Sequence, residues 1–475
     1  MSDTKRVRDR VALTRRELLG AAGAGALAAG VLPLGNAASA APASERSDYE
    51  IIILGGGFCG VTAARECVKA GLRTLILEAR GRLGGRTFTA QFNGSLTELG
   101  GTWVHWSQPY VWAEIQRYGL ALAETPGATA QRMLVRRANG DVDELDAFAH
   151  ADGLARAVAD YMGPSREIFP RPHRPFDSDV YRKHDAVNGA ERLARVADPV
   201  YRDALDGLFS TCAANVAREA AWIEFVRWYA LSGHNYFDLN DAVARYRFRD
   251  GTVALIDAMV ADGKPDVRLN TPIASVHQDG ERVTVMTRAG EEFSARVVVS
   301  TLPLNVLRDV AWSPALGARK LAASAERHAG SSTKAHVLIE GEHNVACLAP
   351  SDSPLNWLFT EHAADGHTHL IGFGPSPDLL DVNDLAQVQA ATRLLMPAAK
   401  VLKAFGYDWN ADPFARGTWC VLRPGQYSKY LAALQAPAGR VIFASADWAN
   451  GWRGFIDGAI EQGLGAARQV RALLA

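Results

Sequence analysis

The run Glu50-Ile51-Ile52-Ile53-Leu54-Gly55-Gly56-Gly57-Phe58-Cys59-Gly60 limits the fold of this chain more than any other stretch. A short apolar run without polar alternation predicts a parallel strand covered on both faces. Gly55, Gly57 and Gly60 keep the G-x-G-x-x-G spacing, residues 61–70 read as a helix, and Gly71 stops it. Residues 73–77 form a second strand that ends at Glu78. Gly55 permits a tight turn, Gly57 lets a pyrophosphate near the backbone, and Gly60 lets the helix lie close on the strand. The helix N-terminus turns free N–H groups and partial positive charge toward the phosphates. Glu78 stands where an acid accepts from a ribose hydroxyl. Together these features predict a dinucleotide-binding βαβ unit.

The next residues separate one dinucleotide from another. Glu78-Ala79-Arg80 runs into Arg82-Leu83-Gly84-Gly85-Arg86, a second glycine loop flanked by arginines. A nicotinamide dehydrogenase has no need of it. The extended pattern resembles the flavin-containing amine oxidase superfamily, and the resemblance implies FAD, held noncovalently. It sets Gly55, Gly57, Phe58, Cys59, Gly60, Glu78, Ala79, Arg80, Gly84, Gly85 and Arg86 around the cofactor, with Arg86 as positive partner of the pyrophosphate. The implied fold is α/β: a Rossmann-type FAD-binding domain assembled from residues 48–115, 245–305 and 425–475. An α+β substrate-binding domain takes residues 116–244 and 306–424.

The resemblance continues through Glu98-Leu99-Gly100-Gly101-Thr102-Trp103-Val104-His105-Trp106. It implies that Gly100, Gly101, Thr102 and Trp103 pass beside the isoalloxazine ring, while His105 packs in the core. Residues 266–273 read as a returning strand that meets the adenine at Ile273. The alternation over 282–287 suggests an antiparallel ribbon, 295–303 another buried strand, and 249–259 a segment that re-enters the cofactor domain. Residues 439–447 end a strand beside the flavin, where Ala446 and Asp447 are expected to meet the cofactor and Ser445-Ala446-Asp447 stands in place of the family's usual glycine-glutamate pair. A helix then begins near Phe455, Ile456 and Ala459, its N–H groups facing the flavin N1–C2=O edge. These matches span nearly all of residues 48–475.

The implied reaction takes a hydride equivalent from the carbon beside nitrogen to flavin N5, followed by imine hydrolysis. The nitrogen must be unprotonated, and a carboxylate partner would keep it charged. Aromatic faces tolerate partial positive charge at about 0.5–2 kcal/mol. Trp419 and Phe455 match the family's aromatic cage, and Lys334 matches its lysine that holds a water near N5. Trp106, Tyr236, Trp357 and Trp419, with the stretch 228–236, are expected to line the substrate pocket. The favoured small-molecule substrate is an aryl-alkyl secondary amine such as pseudooxynicotine. An L-amino-acid or polyamine oxidase, or a noncatalytic electron-carrying flavoprotein, stays open. Cys420 follows Trp419 but is out of register for a covalent flavin link.

A formal net charge of −1 argues against a general nucleic-acid binder. Five scattered cysteines without a CxxC pair suggest neither a metal site nor a disulfide framework. Thr14-Arg15-Arg16-Glu17-Leu18-Leu19, an apolar stretch to Leu34 and Ala38-Ser39-Ala40 read as a twin-arginine signal peptide over residues 1–40. A membrane anchor fits less well, because glycines and Pro33 interrupt the apolar run. The expected location is periplasmic, with no membrane span in the mature protein. Oxygen or a periplasmic cytochrome c would reoxidise the flavin, and a homodimer is allowed.

Overall fold

The computed structural model describes residues 48–475. The signal peptide expected over residues 1–40 lies outside them. The opening motif folds as strand β1 (Asp48–Leu54), helix α1 (Phe58–Lys69) and strand β2 (Thr74–Leu77). Ile51 to Leu54 are fully buried, and β1 pairs in parallel with β2 on one side and with Glu292–Ser300 on the other. Both faces of β1 are covered, which is why its sequence shows no alternation. A Cβ on Gly60 would run into the Gly55 carbonyl, so only glycine lets α1 start this close to the strand. Gly55 itself turns with φ +105°, in the left-handed region.

The first sheet has eight strands in the order 311–313, 273–278, 283–287, 292–300, β1, β2 and 266–268, with Val441–Phe443 also on Glu292–Ser300. The long strand Glu292–Ser300 changes partners midway. Residues 292–295 pair antiparallel with Val283–Thr287, and 298–300 pair in parallel with Val441–Phe443. The ribbon expected over 282–287 is therefore the antiparallel wing of a parallel core. Helix α1 packs between Thr252–Gly263 and Ile456–Leu474 on that core.

One expectation needs correction. Residues 266–273 do not form a single returning strand. Asp266–Arg268 lies at the sheet edge beside β2, and Ile273–Gln278 lies at the other end beside Val283–Thr287. Asn270, with φ +54°, and Pro272 break the extended run between them. Ala311–Ser313, read as part of the substrate domain, also pairs with Ile273–Gln278.

The second sheet has seven strands in the order 401–406, 333–340, 367–374, 357–364, 345–348, 132–136 and 142–146. Helix Pro199–Ala213 packs on it, and Trp222–Leu231 is buried along its whole length. Three charged side chains, all with no exposed side-chain surface, tie that helix to the start of the C-terminal one. Glu224 pairs with Arg453 and with Arg227, and Arg227 also donates to the Gly451 carbonyl. The Tyr427 ring covers Arg453 at 4.7 Å.

Candidate active site

A cavity of about 1950 Å³, counting its open mouth, runs from the first sheet to the second. One continuous space thus joins the glycine loops of the first sheet to the aromatic residues of the second.

The dinucleotide end is built from two glycine loops. Gly57 and Gly84 form a bridge, and the Gly84 N–H donates to the Gly56 carbonyl at 2.9 Å. Gly55, Gly57, Phe58, Cys59, Ala79, Arg80, Gly84 and Gly85 all line the cavity. Side chains at Gly57 and Gly85 would sit between the two loops. This bare-backbone cradle at the start of α1 fits a pyrophosphate, as FAD requires. Gly60 lies beneath the cradle, where it sets the helix distance.

Glu78 is buried and lines the same end. Its carboxylate accepts from the Gly56 N–H at 2.7 Å and the Arg80 N–H at 2.8 Å, so it also braces both loops. Arg80 extends away to Asp412, with a contact of 2.6 Å. Glu78→Gln should leave one of the two N–H groups without an acceptor, at about 1.5 kcal/mol. Flavin retention should then weaken about tenfold, measured as the flavin-to-protein ratio after gel filtration.

Arg86 lines the cavity but is not free. It donates to the Thr418 carbonyl at 2.9 Å and pairs with Asp447. Asp447 is fully buried and is not on the cavity wall, which corrects its expected contact with the cofactor. Burial pushes its carboxyl up, but Arg86 and the Leu304 N–H outweigh this and hold it below the usual carboxylate range. Asp447 fixes Arg86, and Ser445 and Ala446 present the strand end to the cavity.

The middle of the cavity is the segment 98–102. A Cβ on Gly100 would strike the Arg86 carbonyl, so the segment lies flat against the second glycine loop. Gly100, Gly101, Thr102 and Trp103 line the wall, as do Ile273, Phe455, Ile456 and Ala459. Phe455 is the N-cap of Ile456–Leu474, and the first N–H groups of that helix have no partner inside it. Their positive end faces the cavity.

Lys334, Phe373 and Trp357 stand in one row across three neighbouring strands, because Lys334 pairs with Phe373 and Trp357 pairs with Phe373. All three line the cavity. The Trp419 ring meets Phe373 edge-on at 5.9 Å, and its indole N–H donates to the Cys212 carbonyl at 3.2 Å. Phe455 packs edge-on against Trp228 at 5.0 Å. Trp103 completes the aromatic walls, 5.9 Å from Phe373.

Lys334 is buried, and its ammonium has three acceptors: the Glu98 carbonyl at 2.6 Å, the Gly100 carbonyl at 3.1 Å and Thr102 Oγ1 at 2.6 Å. Burial lowers its pKa to about 8, although the Glu361 and Glu98 carboxylates favour the charged form. All three ammonium hydrogens are thus committed to the wall segment. Holding a water as well, the role implied by the family resemblance, requires one of these bonds to open.

Two expected pocket residues lie elsewhere. Trp106 is 48% exposed and stacks on His105, its ring centroid 3.7 Å away, outside the cavity. Tyr236 begins the helix Tyr236–Ala244 and packs against the core beside Phe237, also off the wall. From the stretch 228–236 only Trp228 reaches the cavity. Thr211, Cys212, Val243 and Phe373 are on the wall and were not anticipated. Phe373 reaches the wall through its pairing opposite Lys334, and neither it nor the helical residues carried a signal in the sequence alone. Cys420 is buried behind Trp419, with Sγ on the Asp447 carbonyl at 3.4 Å, and does not line the cavity.

Comparison with known proteins agrees with this geometry. The model of a family described as flavin containing amine oxidoreductase matches residues 58–471. The chain is 40% identical to pseudooxynicotine dehydrogenase of a Pseudomonas species, over 97% of this chain and 96% of that one. It is 36% identical to nicotine dehydrogenase of Pseudomonas putida strain DSM 28022 / S16, over 100% of both chains. Cyclohexylamine oxidase from Brevibacterium oxydans IH-35A shares the fold, with a TM-score of 0.74 at 20% identity, over 90% of this chain and 99% of that one. The chain belongs to the flavin-containing amine oxidoreductase family and is an FAD-dependent, amine-oxidising enzyme.

Proposed function

We propose that the substrate is an aryl-alkyl secondary amine of the pseudooxynicotine type. One observation carries this reading: the substrate end is walled by Trp103, Trp228, Trp357, Phe373, Trp419 and Phe455. The only carboxylates on the lining are Glu78 and Asp309, among the described residues. Glu78 is committed to the glycine loops, and Asp309 pairs with Arg416 at 3.0 Å. An amine that enters therefore meets π faces and no counter-ion, which favours its neutral, oxidisable form. The flat walls suit an aromatic ring on the substrate. The similarity to enzymes named for pseudooxynicotine and nicotine supports the same class.

Bound in the cradle, FAD supplies the acceptor for the hydride equivalent lost from the carbon beside nitrogen. The protein supplies orientation and field. Trp419 and Phe455 bound the space in which the amine sits. The free N–H groups at the start of Ile456–Leu474 stabilise negative charge that develops on the cofactor side. Lys334 holds residues 98–102 in place from below. Anaerobic screening tests the assignment: aryl-alkyl secondary amines should bleach the flavin. Bleaching by amino acids or diamines alone would overturn it.

Lys334→Met should lower the rate of flavin reduction about tenfold by loosening that wall. In the wild type the ammonium form prevails below about pH 8 and is lost above it. Its pKa is lower in the folded chain than in the unfolded one, so folding binds fewer protons between those values. This group's effect on stability therefore becomes more favourable as pH rises through that window. The inflection near pH 8 should vanish from the pH–rate profile of the Met variant.

The leader read over residues 1–40 supports export through the twin-arginine route to the periplasm. The acceptor that reoxidises the flavin is then oxygen or a periplasmic cytochrome c. Fractionation of cells producing the full chain, alongside Arg15→Lys and Arg16→Lys together, tests the location.

A further inference from the structure

Behind Lys334 lies a buried chain of polar groups that the reaction does not use. His336 Nε2 is 3.0 Å from the Glu98 carbonyl, the same oxygen that Lys334 Nζ reaches at 2.6 Å. His336 Nδ1 is 3.0 Å from His369 Nε2, and His369 Nδ1 is 2.8 Å from Glu361 Oε2. His336, His369 and Glu361 are each at most 2% exposed.

Counting hydrogens along this chain fixes its charge. A carbonyl only accepts, so His336 Nε2 must carry a hydrogen. One hydrogen must lie between the two rings, since two lone pairs at 3.0 Å repel. His369 Nδ1 and Glu361 Oε2 are 2.8 Å apart, so a hydrogen must lie there as well. Burial with Lys334 holds His336 well below the usual imidazole range, which leaves the extra proton to His369. Against burial, the neighbouring imidazoles and Arg247 hold Glu361 below the usual carboxylate range. A carboxylate only accepts, so that hydrogen sits on His369 Nδ1, in an ion-pair contact without hydrogen-bond alignment. That makes three ring hydrogens, one more than two neutral imidazoles hold. The Thr97 hydroxyl, 2.9 Å from His336 Nδ1, can supply a weaker bond there but does not remove the need for the third hydrogen.

We propose that Glu361, His369 and His336 are positioning residues that share one buried proton and, with Lys334, clamp the Glu98 carbonyl so that residues 98–102 hold the cavity wall. The proposal rests on the reading of that wall given above. The charged groups facing the chain come from every neighbouring element. Lys334 lies on the same strand, Glu98 on the hairpin of 89–98, and Arg247, 3.7 Å from Glu361, on strand Tyr246–Phe248. His362 packs edge-on against His369 at 5.1 Å. Removing the Glu361 charge removes the partner that keeps the extra proton in a dry site. Without that proton the two rings can still bond each other and the Glu98 carbonyl, but no hydrogen lies between His369 Nδ1 and residue 361, so His369 loses the anchor that sets it against His336.

The test uses the FAD-loaded enzyme labelled with ¹⁵N-histidine. At pH 7 the wild type should show three ring N–H signals for His336 and His369, assigned with His336→Gln and His369→Gln. Glu361→Leu, which offers His369 Nδ1 no polar partner, should lose one of them, slow flavin reduction about tenfold with KM little changed, and move the loss of activity at high pH to lower pH. Glu361→Asp should restore all three readouts in part. Only two ring hydrogens in the wild type would overturn the proposal, as would stoichiometric zinc in the purified enzyme. So would a Glu361→Leu enzyme with lowered melting temperature but wild-type rate and pH profile. The hydrogen count needs no amine substrate, so a failure of the substrate assignment leaves it standing.

Discussion

Trp419→Ala should slow flavin reduction by an amine about a hundredfold while the purified protein keeps its FAD. The indole is held on three sides. Its N–H donates to the Cys212 carbonyl, its ring meets Phe373 edge-on, and its own carbonyl lies against Gly330, where no Cβ would fit. Truncation removes this wall and opens the amine's side of the cavity to water. The groups that hold the dinucleotide, namely the two glycine loops, Glu78 and Arg86, are carried by other segments. Retention and reduction should therefore separate. Anaerobic stopped-flow absorbance gives the rate, and the flavin-to-protein ratio gives retention. Trp419→Phe keeps an aromatic face and should recover most of the rate. An Ala variant that reduces its flavin at the wild-type rate would remove Trp419 from the site.

Glu224→Gln should cost about 3–5 kcal/mol of folding stability, the largest effect expected from any one substitution described here. The new side chain has nearly the same volume, so the loss does not come from a cavity. It comes from leaving Arg227 and Arg453 as two cations in a region where neither has exposed side-chain surface. Arg227 keeps the Gly451 carbonyl and Arg453 keeps the Tyr427 ring, but neither offers a counter-charge. Urea denaturation of the two proteins measures the difference. A loss below about 1 kcal/mol would mean that water reaches the pair.

The parts of the site that could be read from sequence are those set by local sterics. Gly60 and Gly84 are crowded by Gly55 and Thr87, a few residues away, and Gly55, Gly84 and Gly85 turn with positive φ, so their spacing announces the cradle before most tertiary contacts are known. Phe373 reaches the cavity only through its register opposite Lys334, which a single strand does not reveal. Thr211 and Cys212 lie on Pro199–Ala213, which packs on the second sheet, and Val243 on Tyr236–Ala244, which packs on neighbouring helices, so tertiary contacts decide where they point. Trp103 and Trp106 are three residues apart in a segment without periodicity. Trp103 is drawn inward by its bridge to Arg247, and Trp106 emerges at the surface. Asp447 lies in the short turn Ala446–Trp448 after the strand Val441–Phe443, and its charge is spent on Arg86.

The strand Val441–Phe443 and the turn before Ile456–Leu474 close the cavity with the last tenth of the polypeptide. During synthesis, β1 and α1 emerge first, yet they face an unfinished crevice until the ribosome has released nearly everything. Residues 445–459 must therefore be in place before the cavity can enclose the coenzyme. A nascent chain halted before residue 441 should leave the ribosome colourless, whatever its helices have already become.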